Sequence, residues 1–97
     1  MVSMSDVQRI RDWALANNFR VVFSFEKYPY VLVIDRVIHA RDNNDVVVDW
    51  SKAFGSKLPH QVLSSLKLRR IVILRKNIEI MFFNSLTKFM SHVREQK

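Results

Sequence analysis

Residues 20–50 read RVVFSFEKYPYVLVIDRVIHARDNNDVVVDW, and the fold is decided there. From Arg20 to Lys27 the side chains alternate, with Val21, Phe23 and Phe25 on one side of an extended chain and Val22, Ser24 and Glu26 on the other. Tyr28-Pro29 interrupts the run, because proline has no amide to give to a ladder. A second extended run, Tyr30 to Ala40, is rich in β-branched residues and ends at Arg41-Asp42-Asn43-Asn44, whose short polar side chains favour turns. Asp45 to Trp50 supplies a third strand. Three strands joined by short turns predict an antiparallel meander.

Before the meander, Ser5 to Asn17 predicts a first helix, since Ser5 and Gln8 have capping-box spacing and Val7, Ile10 and Ala14 share one face. After it, Ser51 to Leu58 reads as a loop, and Pro59 opens a short helix running to Leu66 with Val62, Leu63 and Leu66 turned inward. Arg69 to Leu74 and Ile78 to Phe83 predict a hairpin that turns at Arg75-Lys76-Asn77, with a helix over the same residues as the alternative. Asn84 or Ser85 caps a last helix in which Leu86, Phe89, Met90 and Val93 recur at helical spacing. The predicted class is therefore α+β: helix, three-stranded antiparallel meander, short helix, then a β-hairpin and a C-terminal helix. At 97 residues, with 48% hydrophobic and 26% charged side chains, residues 1–97 form a single globular domain. It divides into an α-β-β-β-α unit over 5–67 and a hairpin-plus-helix extension over 68–97. A homodimer that buries part of the aromatic surface is compatible with so small a core.

Several function classes are excluded by composition. Without cysteine there are no disulfides, thiolate zinc sites, iron-sulfur clusters or thiol nucleophiles. The single glycine, Gly55, rules out a Walker-type phosphate loop and a dinucleotide fingerprint, each of which needs several glycines in one segment. Met1 to Asp6 has no basic region followed by an apolar one, and the uninterrupted apolar runs, such as Ile71 to Leu74, are far too short to span a bilayer. The expectation is a cytoplasmic protein with no membrane role and no cofactor.

The net charge of +7 is unevenly placed. Residues 1–50 carry six basic groups (Arg9, Arg11, Arg20, Lys27, Arg36, Arg41) against seven acids, whereas residues 51–97 carry ten against two. From Ser51 to Ile78 there are Lys52, Lys57, Lys67, Arg69, Arg70, Arg75 and Lys76 with no Asp or Glu at all. Such a stretch attracts polyanions, and each phosphate it neutralises releases counterions. These residues together with His60 form the expected nucleic-acid-binding set, for RNA ahead of DNA. A solvated, solubilising face is the plain alternative, and an acidic protein partner bound by a regulator or inhibitor of the kind viruses and mobile elements encode is another.

Other constellations are weaker. His39, His60 and His92 have no spacing that gathers two around a metal, and Asp35, Asp49 and Lys52 lack the spacing of a magnesium-dependent nuclease, so neither a catalytic nor a metal site is expected. Tyr28, Tyr30 and Phe54, near turns, are candidates for base stacking, while Phe23 and Phe25 belong to the core and Trp50 to its edge. Arg69-Arg70 and Arg75-Lys76 bracket one strand, where they either match phosphates or blunt a sheet edge.

The order helix, three strands, helix resembles the double-stranded-RNA-binding-domain fold. Within it, Val46-Val47-Val48, Leu58-Pro59 and Val62-Leu63-Ser64-Ser65-Leu66-Lys67 look like the closing strand, Leu-Pro step and final helix of HicA-type mRNA-cleaving toxins, and Ser5 to Phe19 is similar to their opening helix. Lys52, Gly55 and Lys57 echo in part the lysine-rich, glycine-bearing start of the second helix in double-stranded-RNA binders. Those toxins carry a glycine and a catalytic histidine on the first strands, where this chain reads Phe23-Ser24-Phe25-Glu26-Lys27. The resemblance thus implies an RNA-facing scaffold without the nuclease chemistry.

Overall fold

The computed structural model describes residues 2–95. The chain runs α1 (Met4–Asn17), β1 (Arg20–Phe25), β2 (Tyr30–Ile34), β3 (Ile38–Asp42), β4 (Val47–Val48), α2 (Trp50–Phe54), α3 (Pro59–Ser65), β5 (Leu68–Arg75), β6 (Ile78–Phe83) and α4 (Leu86–Glu95). It is an α+β fold built on one six-stranded antiparallel sheet of order β4-β3-β2-β1-β5-β6. Among the described residues no helix is long and apolar enough to cross a membrane.

Helix α1 begins earlier than the Ser5–Gln8 spacing predicts. Ser3 is its N-cap: the Asp6 amide donates to Ser3 Oγ at 3.2 Å, and the Ser3 amide donates back to Asp6 Oδ2 at 3.0 Å. A short carboxylate at the third helical position closes this box as well as a Glu or Gln does, which is why the Ser5–Gln8 spacing misleads. Gln8 instead donates to Asp12 one turn on. Asn18, in the left-handed conformation at φ 57°, ends the helix.

The second extended run folds back on itself rather than continuing to Ala40. Asp35 Oδ1 accepts from the Val37 amide at 3.0 Å, an Asx turn in which a side chain replaces a backbone acceptor, and β2 and β3 pair on either side of it. No glycine, proline or asparagine marks that turn. The third strand shrinks to Val47–Val48, because α2 opens at Trp50, the last residue expected in that strand, and runs to Phe54 through the start of the segment expected to be loop. Trp50 and Phe54 lie one turn apart with ring centroids at 4.9 Å, and burial of Ala53 and Phe54 against the core stabilises this five-residue helix.

The hairpin of residues 68–83 is present as two strands, with Lys76 (φ 52°) and Asn77 (φ 64°) both left-handed in its two-residue turn. It is no appendage to the 5–67 unit. β5 pairs with β1 along its whole length, from Arg20↔Leu74 to Phe25↔Leu68, so the boundary expected at residue 67 crosses the middle of the sheet.

All the helices pack on one face. Val21, Phe23, Leu32, Ile34, Ile71 and Ile73 from the strands form one buried cluster with Ile10, Trp13 and Ala14 of α1, Val62 and Leu63 of α3, and Phe89, Met90 and Val93 of α4. Phe89, with no exposed surface, meets Trp13, Phe23 and Phe83 edge-on at 5.4–5.8 Å. Among the described residues the other sheet face carries no helix.

Candidate nucleic-acid interface

The eight residues expected to bind phosphate do not form one surface. Lys67 and Arg69 stand at the start of β5, while Arg75 and Lys76 stand at its far end, about 20 Å away at strand rise. Lys67 is paired with Glu26 (3.2 Å), an acid from the first half of the chain. Arg70 is paired with Glu79 (3.3 Å) and lies 4.3 Å above the Phe82 ring. Lys52 projects from α2, and Lys57 and His60 line a separate groove of about 640 Å³ with Ser56, Gln61 and Ser64. The Ser64 and Ser65 hydroxyls in that groove are already spent on the His60 and Gln61 carbonyls.

Arg75 and Lys76, by contrast, have company that the sequence does not suggest. The start of β1, the Asp35–Val37 turn and the Lys76–Asn77 turn all lie at one end of the sheet, as the pairs Arg20↔Leu74 and Val21↔Ile34 require. The end of α1 joins them, and together they frame an open groove of about 1060 Å³. Arg11, Arg20, Arg36 and Lys76 line it, with His39, and Asp35 is the one acid among them. Arg75 borders it: its guanidinium sits 4.6 Å above the ring of Phe19, a wall residue, and donates to the Asn17 carbonyl at 3.2 Å.

The hydrogen bonds fix these side chains without neutralising them. Arg11 donates from Nε and Nη2 to the Arg36 carbonyl at 3.1 and 2.9 Å, which ties α1 to the β2–β3 turn and holds a guanidinium at the rim. Asp35 is taken up by Arg20 at 3.2 Å and by the Val37 amide. Among the described residues Arg11, Arg36, Arg75 and Lys76 have no acidic partner within ion-pair distance. Backbone carbonyls hold Arg11, and a carbonyl and an aromatic face hold Arg75, in ways that leave both charges available to an anion. His39 is engaged on both nitrogens, Nδ1 with the Val37 carbonyl and Nε2 accepting from Arg41 Nε.

Arg11, Arg20 and Arg36 escape a reading by charge density because they sit in a half of the chain whose average charge is slightly negative, and Arg36 falls inside the run expected to be one strand. The aromatic stacking candidates are committed elsewhere. Tyr28 stacks on Phe54 at 5.7 Å and meets Tyr30 at 6.0 Å, and its hydroxyl donates to the Ala53 carbonyl, so these rings seal the core against α2. Asp35, Asp49 and Lys52 belong to a turn, a helix N-cap and a helix, and Asp35 is spent on Arg20.

No family model, no curated protein and no solved structure matches this chain.

Proposed function

We propose that this protein is a non-catalytic nucleic-acid-binding protein, RNA ahead of DNA, that acts through phosphate contacts. One observation carries the reading: Arg11, Arg36, Arg75 and Lys76, drawn from separate segments of the chain, surround one groove whose sole acid is already paired with Arg20. A groove lined by one sign of charge concentrates polyanions and steers their approach. Arginines anchored by carbonyls and an aromatic ring present their remaining donors in fixed directions, which suits the tetrahedral oxygens of a phosphodiester. The two rings that line the groove are already engaged, Phe19 beneath Arg75 and His39 by the Val37 carbonyl and Arg41, so base recognition has no free ring there and sequence selectivity is expected to be low. The preference for RNA rests on the resemblance of the chain to HicA-type toxins, and the cysteine-free composition leads us to favour a cytoplasmic site of action. A regulator that binds an acidic protein is the second reading; the same cations serve it, and the uncovered sheet face favours protein contact.

Fluorescence anisotropy of labelled single-stranded RNA, RNA duplex and DNA duplex over a salt series tests the proposal. Three to four neutralised phosphates give a slope of log K against log salt of about −2 to −3 for a single strand. Absence of binding to every one of these probes at low salt removes the reading.

A further inference from the structure

Beyond His39, Leu74 and the Arg20–Asp35 pair, which it shares with the groove, the sheet face opposite the helices is unused by the polyanion reading. The strand register places its side chains in rows. His39, Val33, Val22, Val72 and Phe82 form one row across five strands, flanked by Leu74 and Ile80. Apart from Val33, which its neighbours cover fully, these residues are half-buried or exposed. None of them packs into the helix-side core, and Ile80 and Phe82, at the β6 edge, are 42% and 50% exposed.

Cations occur on this face too, but each one is neutralised within it: Arg20 by Asp35, Arg41 by Asp45 and Arg70 by Glu79. Among the described residues, the cations without acidic partners lie at the groove (Arg11, Arg36, Arg75, Lys76), on the helices (Arg9, Lys52, Lys88), in the loops (Lys27, Lys57) and, for Arg69, at the start of β5. A chain of net charge +7 can approach a copy of itself only where its surface is locally neutral, and this is such a place. Polyanions gain little here, because their phosphates would displace acids already in position.

We infer that this face is an interface with a second copy of the same chain, packed sheet against sheet about a two-fold axis. A two-fold interface uses one patch on both subunits, which a neutral apolar stripe satisfies with itself. Stacked sheets interdigitate at about 10 Å with strands some 30° apart. Five full strands at about 4.8 Å spacing and six residues of length present roughly 500 Å² per copy. Two copies then bury roughly 1,000 Å², the lower bound for a specific interface and the size range of weak, reversible contacts. The groove opens at one end of this sheet, so dimerisation brings two groove-bearing ends into one particle.

Sedimentation velocity of the nuclease-treated protein from about 5 to 500 μM, a range that reaches weak, reversible contacts, tests this directly. The wild type shifts from monomer to dimer across the range, while Phe82→Glu and Ile80→Lys remain monomeric with wild-type circular dichroism. A wild type that stays monomeric throughout overturns the inference. So does a variant that keeps the native spectrum and still dimerises with wild-type affinity. If Phe82→Glu unfolds, Ile80→Lys, at the exposed edge, decides between these outcomes. RNA anisotropy on the same samples separates the two readings: Phe82→Glu binds RNA at the groove without dimerising, whereas Arg36→Glu dimerises but binds RNA weakly.

Discussion

Arg20 Nε, at the first residue of β1, lies 3.2 Å from Asp35 Oδ2 in the β2–β3 turn, and each side chain is less than one-third exposed. Asp35 also accepts from the Val37 amide through its other oxygen, so one residue both shapes the turn and cancels one cation of the groove. Asp35→Asn keeps an oxygen acceptor for the Val37 amide and removes the charge. Affinity for single-stranded RNA should rise several-fold, and the salt slope should steepen by about 0.7, the increment for one more neutralised phosphate. Unchanged affinity and slope in this variant would show that phosphate does not sit at Arg20.

Phe89 is the hub of the helix-side core, with Trp13, Phe23 and Phe83 around it and no exposed surface. Phe89→Ala removes those edge contacts and leaves a cavity, and should cost about 3–5 kcal/mol. Urea unfolding reads this as a lower midpoint at constant m-value. A loss under about 1 kcal/mol would contradict this packing.

The β5–β6 turn puts Lys76 and Asn77 in left-handed conformations that a side chain with a branched Cβ resists. Asn77→Gly should be neutral or stabilising by a few tenths of a kcal/mol, whereas Asn77→Val should destabilise by about 1–2 kcal/mol. Thermal melts of the two variants, run side by side, give the comparison. Equal melting temperatures would place the turn elsewhere.

At the other end of the chain, the Ser3 amide bonded to Asp6 holds that carboxyl below its ordinary value of 3.8, helped by the Ser3 hydroxyl and by Arg94 at 3.4 Å, against a smaller opposing effect of burial. A carboxyl depressed in the folded state stabilises the fold fully above its unfolded pKa, and that contribution disappears as pH falls through the lower folded value. The melting temperature of Asp6→Asn should therefore lie below wild type at neutral pH and converge with it in strong acid. Ser3→Ala, which removes the hydroxyl that caps α1, should cost about 1 kcal/mol. A constant gap at every pH between Asp6→Asn and wild type would show that the charge plays no part.

Elements whose signal is periodic are legible in the sequence. The alternation of Val21, Phe23 and Phe25 marks β1, and the spacing of Phe89, Met90 and Val93 marks the buried side of α4. The hairpin after Leu68 follows from the Arg75-Lys76-Asn77 break. What escapes is contact between segments distant in sequence. The Asx turn at Asp35 leaves no mark in a run of β-branched residues, and α2 exists because Phe54 meets Tyr28 and Phe25.

The basic groove is a product of the same tertiary contacts. A sum over residues 51–78 finds the cations but not their partners, and it is the partners, Glu26 for Lys67 and Glu79 for Arg70, that subtract them. Arg11 and Arg36 enter because α1 and the β2–β3 turn meet through the Arg36 carbonyl, a contact that no composition window reports.

The most direct measurement is a titration of the isotope-labelled protein with a short single-stranded RNA at low salt, followed through its backbone amide resonances. The groove predicts shifts concentrated at Asn18, Arg20, Arg36, Val37, Lys76 and Asn77, with residues around Lys52, Lys57 and Lys67 quiet. Shifts centred on Lys52 to Lys67, or none at any residue, would contradict it.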